Sequence, residues 1–170
     1  MEKRTFVEDS DKERIIQFLE ENSVKNETEK QVIYFYHTET DFRIIRTKNY
    51  IKMNLKPDNL DESEKVVFIS PKYDSDIFGI FYNLGTAIEF KRYRIRHKYI
   101  YQNLYITIDE NIKFGNVLRV RTEKEENIDK FYETINIIPT SMELFEERYA
   151  KYRIEWANLI KDINEEEFIK

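Results

Sequence analysis

Alternating apolar and polar positions run through the first two thirds of the chain, and steps of three and four take over in the last third. Residues 3–8 read as a strand. Ser10-Asp11-Lys12-Glu13 then forms a capping box, in which the serine accepts from a free backbone N–H and Glu13 reaches back. The helix it opens carries Ile15, Ile16 and Leu19 on one face. Four strand-like runs follow, Gln31 to Thr38, Asp41 to Arg46, Tyr50 to Lys56 and Lys65 to Ser70, divided by polar turns and ended by Pro57 and Pro71. They predict an antiparallel meander. Asp74-Ser75 is read as the cap of a helix carrying Ile77, Phe78, Ile80, Phe81 and Leu84, with Gly85 as its C-terminal stop. Strands resume over 87–99, 102–108 and 117–122.

In the last third, Asn127 is read as the cap of a short helix with Ile128, Phe131 and Ile135, and Thr140 with Glu143 makes a second capping box after Pro139. Met142, Phe145, Tyr149, Tyr152, Trp156 and Leu159 then recur at helical spacing, a stripe expected to pack into the core. Roughly eight strands with helices between them predict an α+β fold whose antiparallel sheet curls or closes into a barrel, because an open sheet of that size leaves edges to protect. One domain over 1–170 is expected, with the barrel over about 2–122 and C-terminal helices over about 127–165.

Composition narrows the function. With 41% hydrophobic residues, 15% aromatics and only three glycines and three prolines in 170 residues, the chain is globular and has no linker. A net charge of −5 argues against a general nucleic-acid binder, whose affinity rests on a broad basic surface. The absence of cysteine excludes disulfides and thiolate zinc sites. Apolar runs such as Val66-Val67-Phe68-Ile69 are too short to span a bilayer, and the opening Met1-Glu2-Lys3-Arg4 is not a signal region, so a cytoplasmic location is expected.

Against this acidic background stand two basic rows. Gly115-Asn116-Val117-Leu118-Arg119-Val120-Arg121 and Lys91-Arg92-Tyr93-Arg94-Ile95-Arg96 place arginines at period two, hence on one face of the pleat, an arrangement suited to an anion. The acids available to neutralise them are Glu2, Glu64, Glu89 and Asp109, so positive charge is in excess. His97 is either a general acid or base or a surface histidine beside Arg96 and Lys98. Tyr93, Tyr99, Tyr101 and Tyr105 either stack nucleobases or pack beneath helices on the outer face.

Five segments, in this order and spacing, resemble the CYTH superfamily of triphosphate tunnel metalloenzymes. Asp41-Phe42-Arg43-Ile44-Ile45-Arg46 is similar to the family's Leu-Arg-Ile-Arg strand, and Lys52-Met53-Asn54-Leu55-Lys56-Pro57 to its Leu-Thr-Leu-Lys strand. Leu84-Gly85 closes the middle helix, Arg92-Tyr93-Arg94 resembles its Lys-x-Arg, and Ile108-Asp109-Glu110 leads to Phe114-Gly115. The family includes class IV adenylyl cyclases, thiamine triphosphatases and inorganic triphosphatases. The resemblance implies an eight-stranded tunnel barrel with helices outside it. Basic side chains there hold a triphosphate, while carboxylates on the first and last strands bind Mg²⁺ or Mn²⁺. Arg43, Lys52, Lys56, Arg92 and Arg94 carry over as phosphate binders, joined by Arg119 and Arg121 from the basic row.

The family's metal-binding half is altered at both ends. Its opening Glu-x-Glu-x-Lys is represented by Glu2-Lys3-Arg4-Thr5-Phe6, and its closing Glu-x-Glu by Arg119-Val120-Arg121. A guanidinium in place of a carboxylate reverses the charge and repels a divalent cation. Glu2, Asp109 and Glu123 remain as candidate metal ligands, Glu123 being either a displaced ligand or a solvated strand end. The expected function is metal-free binding of a nucleotide or polyphosphate anion, as a binding, sensing or sequestering protein with no assigned catalytic residue. The alternative is a metal-dependent triphosphatase or class IV-type adenylyl cyclase acting on ATP or another organic triphosphate.

Overall fold

The computed structural model describes residues 1–38, 41–56 and 64–170; the strand end expected at Pro57 lies outside them. Its strands are β1 (Glu2–Val7), β2 (Lys25–Tyr36), β3 (Asp41–Arg46), β4 (Ile51–Lys56), β5 (Lys65–Ile69), β6 (Ile88–Tyr101), β7 (Leu104–Asn111) and β8 (Gly115–Arg121). Its helices are α1 (Asp9–Asn22), α2 (Asp74–Asn83), α3 (Glu125–Thr134), α4 (Met142–Leu159) and α5 (Glu165–Ile169), with a 3-10 turn over Pro71–Tyr73. The strands form one antiparallel sheet in the order β1-β8-β7-β6-β2-β3-β4-β5, as expected of the α+β reading. That order has two ends, β1 and β5, so the sheet is not strictly closed. None of the described helices is long and apolar enough to cross a membrane.

Two compact units are distinguished. The first, Met1–Glu29 with Arg94–Glu155, buries one face of β1, β6, β7 and β8 beneath α1 and α3. Ile106, Ile108, Leu118 and Val120 meet Ile15 and Leu19 from α1 and Ile128, Phe131 and Ile135 from α3. Each of these side chains is worth about 1.5–3 kcal/mol when removed from water. Thr5 and Tyr132 hydrogen-bond within this face at 2.8 Å. The second unit, Lys30–Tyr93 with Trp156–Lys170, packs Tyr36, Phe42 and Phe81 as a triangle of rings 5.0–5.4 Å apart.

Several local expectations change. β2 begins at Lys25 rather than Gln31, because its polar opening is held by cross-strand partners instead of burial. Lys98 binds Glu29 at 2.6 Å and Glu27 at 3.6 Å, and the Val24 amide donates to the Ile100 carbonyl. Ser10 lies inside α1, whose cap position is Glu8 and carries no side-chain bond. Asn127 likewise lies inside α3. Thr140 accepts from the Phe6 amide at 2.9 Å and so ties down β1, leaving Ser141 to accept from the Leu144 amide at the start of α4. Asp74 opens α2 directly after the 3-10 turn, with no side-chain cap bond. Gly85 does end α2, at φ +71° with its amide on the Tyr82 carbonyl.

The α4 stripe is only partly core. Phe145, Tyr149 and Tyr152 ring Phe114 at 5.4–6.1 Å, whereas Met142 is 61% exposed. The sequence reading did not anticipate α5, which is capped by Asn164 accepting from the amides of Glu166 and Glu167.

Candidate functional site

In the first unit, strand alternation puts Glu2 and Arg4 of β1, Arg94 and Arg96 of β6, Asp109 of β7, and Arg119 and Arg121 of β8 on the face opposite α1 and α3. The register aligns Arg4 with Arg119, Glu2 with Arg121, and Arg96 with Asp109. Five guanidiniums therefore share this face with two carboxylates.

Asp109 is the anchor. Arg96 grips it in a two-pronged fork, Nε to Oδ1 and Nη2 to Oδ2, both at 2.6 Å, and Arg94 Nη1 donates to Oδ2 at 3.2 Å. The side chains of Arg94 and Asp109 are only 7% and 4% exposed. Burial alone would raise the Asp109 carboxyl, but the charges of Arg94 and then Arg96 hold it well below the usual carboxylate range. Glu2 accepts from Arg4 Nε at 2.7 Å and lies 3.6 Å from Arg119 Nε. Burial would raise Glu2 too, yet the Arg119 charge and the Arg4 bond lower it. Burial, followed by the charge of Arg96, pushes Arg119 down to about 10, so it stays charged at neutral pH. α4 adds Arg148, whose guanidinium lies 4.4 Å from the Phe6 ring centre.

In the second unit, Phe35 and Phe90 stack at 4.1 Å with 9° between their planes. Arg43 and Arg92 lie 5.6 and 5.2 Å from the Phe35 ring, so one aromatic platform carries two of the expected phosphate binders. Arg43 also donates to Asp41 on its own strand. Lys52 lies 5.8 Å from the Phe68 ring. Lys56 is exposed opposite Asp41, and Asn54 donates to Glu64.

The carboxylates present do not fit a divalent cation. Asp109 is engaged by two arginines, Glu2 lies between two more, and Glu123 is exposed beyond the end of β8. No group of three His, Cys, Asp or Glu side chains suited to a metal occurs among the described residues. His97 is a structural partner: Nε2 lies 2.6 Å from Glu110, and Nδ1 lies 3.0 Å from the Thr28 hydroxyl. Tyr99 and Tyr101 pack under helices, Tyr93 meets Phe168, and Tyr105 is exposed beside Arg121. Sequence reasoning left Arg4, Arg96 and Arg148 out of the site. Arg96 was legible as the third arginine of the β6 row and Arg4 as the in-phase neighbour of Glu2. Nothing in the sequence placed Arg148 near Phe6.

No protein-family model and no curated protein matches the chain. Solved structures do match, and the fold they share with it is of the CYTH type. The PH1819 protein of Pyrococcus horikoshii is 19% identical at a TM-score of 0.65, over 89% of this chain and 98% of its own. The HpAC1 protein of Hippeastrum, a candidate adenylyl cyclase described as having a dominant triphosphatase activity, is 15% identical at a TM-score of 0.63, over 88% and 95%. A candidate adenylate cyclase of Bacillus halodurans is 13% identical at a TM-score of 0.60, over 83% and 91%.

Proposed function

We propose that this protein binds a nucleotide or polyphosphate anion without a bridging divalent cation, as a binding, sensing or sequestering protein. The supporting observation is the five-to-two excess of arginine over carboxylate on the face of β1, β6, β7 and β8 opposite α1 and α3. Arginines grip phosphate oxygens through paired, directional hydrogen bonds and supply neither a nucleophile nor an activated water, so binding without turnover is chemically coherent. Arg119 and Arg121 are the leading ligands, with Arg4, Arg94 and Arg96 around them. Arg43, Lys52, Lys56 and Arg92 of the second unit are assigned the same role on the resemblance of their strands.

A second reading, a metal-dependent triphosphatase or adenylyl cyclase, is favoured by the activities named for the structural neighbours. Calorimetric titration of ATP and tripolyphosphate into metal-free protein separates the two, when repeated with Mg²⁺ or Mn²⁺ and with the recovered ligand assayed. Tight metal-free binding with intact ligand supports the proposal. Metal-dependent hydrolysis or cyclisation overturns it in favour of the enzyme.

A further inference from the structure

The basic side chains assigned in the second unit share their face of the sheet with two apolar ones that the fold leaves in water. The register sets Arg43 opposite Asn54 and Asn54 opposite Val66, and it sets Lys52 opposite Phe68. Strand alternation therefore puts Arg43, Lys52, Lys56, Val66 and Phe68 on one face of β3, β4 and β5. β5 is an end strand of the sheet, a place where proteins ordinarily put charge. Here Val66 is 38% and Phe68 63% exposed, so core burial explains neither.

The Phe68 ring is nevertheless held in place. Tyr50, itself partly buried, meets it edge-on, with ring centres 5.4 Å apart and 72° between the planes. The Lys52 ammonium lies 5.8 Å from the same ring centre. Adjacent strands are about 4.8 Å apart, so this assigned phosphate binder stands one strand from the ring, with Arg43 and Lys56 farther along the face. A nucleotide joins the two groups that this face accommodates, a flat base and an anionic chain; inorganic polyphosphate has only the second. A phenylalanine offers a π-face and no hydrogen bond, so it favours any stacking base without reading its edge.

We propose that Phe68 is the stacking platform for the base of a nucleotide whose phosphates lie on Lys52, Arg43 and Lys56, so that the second unit selects nucleotides over inorganic polyphosphate. This role rests on the anion binding proposed above for those three side chains.

The test titrates ATP and tripolyphosphate separately into the full chain without metal. Charge alone gives ATP no advantage, because tripolyphosphate is no less anionic. Stacking is expected to make ATP bind at least about fivefold more tightly, the low end for one base on one aromatic ring. Phe68→Ala is expected to bring ATP down to the level of tripolyphosphate, and Phe68→Tyr to keep the advantage. On the unsubstituted protein, nuclear Overhauser contacts are expected between adenine protons and the Phe68 ring, a readout that no folding defect of a variant can disturb. Equal affinity for the two ligands, equal weakening of both by Phe68→Ala, or adenine contacts elsewhere would overturn the stacking role and leave anion binding standing. Failure of both ligands to bind would overturn anion binding and the stacking role together. A dimer of the unsubstituted chain that Phe68→Ala dissociates, followed by analytical ultracentrifugation, would assign the ring to a second copy and overturn the stacking role.

Discussion

Arg96 and Asp109 are directly opposed across β6 and β7, and they close a two-bond fork at 2.6 Å for each prong. With Arg94 as a third donor, Asp109 neutralises a guanidinium that has almost no access to water. Removing one partner of a buried pair leaves the other charge uncompensated and costs about 3–5 kcal/mol. Asp109→Ala is therefore expected to lose about that much stability at neutral pH by urea unfolding, at the top of the range for a single polar substitution.

The same group sets an acid limit. Its folded pKa lies below the usual carboxylate range, so its contribution is fully present above the unfolded value of about 3.9 and is lost as pH falls through the folded value. Stability of the unsubstituted chain relative to Asp109→Asn is expected to stay constant from pH 7 to about 5 and to shrink below about 4. Urea midpoints of both proteins at pH 7, 5, 4 and 3 check this, since the other carboxylates cancel in the difference.

Thr5 and Tyr132 share a buried hydrogen bond of 2.8 Å, and burial pushes the Tyr132 phenol up to about 12. Tyr132→Phe leaves the Thr5 hydroxyl without its partner and is expected to cost about 1–3 kcal/mol. The double variant Thr5→Val with Tyr132→Phe removes both polar groups and should recover part of that loss. A thermodynamic double-mutant cycle measures the coupling.

On the arginine face, Arg119→Glu with Arg121→Glu is expected to weaken metal-free tripolyphosphate binding by at least about tenfold, because each charge-assisted bond is worth about 1.5–3 kcal/mol. Adding Arg4→Glu places three new carboxylates beside Glu2, a set of hard oxygen ligands. Mn²⁺ affinity, followed by electron paramagnetic resonance, is expected to rise in the triple variant. Unchanged anion affinity in the double variant would remove Arg119 and Arg121 from the site.

Period-two alternation made the strands and the arginine rows legible, and β3 falls on Asp41–Arg46 as read from the sequence. The opening of β2 was hidden because Lys25 to Lys30 is wholly polar; the cross-strand bonds from Lys98 and His97 and the Val24 amide on the Ile100 carbonyl help to hold it extended. The cap expected at Thr140 failed because its hydroxyl has a competing partner in the Phe6 amide. At the site, the row containing Arg94 and Arg96 was visible, whereas their shared grip on Asp109 depends on the β6–β7 register. Arg148 joins through the packing of α4 on Phe6 and Phe114, a contact that no local pattern encodes.

The fork on Asp109 also sets a threshold for whatever reaches that face. A resident carboxylate already supplies Arg94 and Arg96 with one unit of negative charge held in place by the fold, so chloride or acetate has to compete with a neighbour that never leaves. A newcomer improves on the resident only by bringing several charges at once. Under the proposed anion binding, the face is expected to rank ligands by valence, with monovalent salts of the surrounding solution at the bottom of the scale.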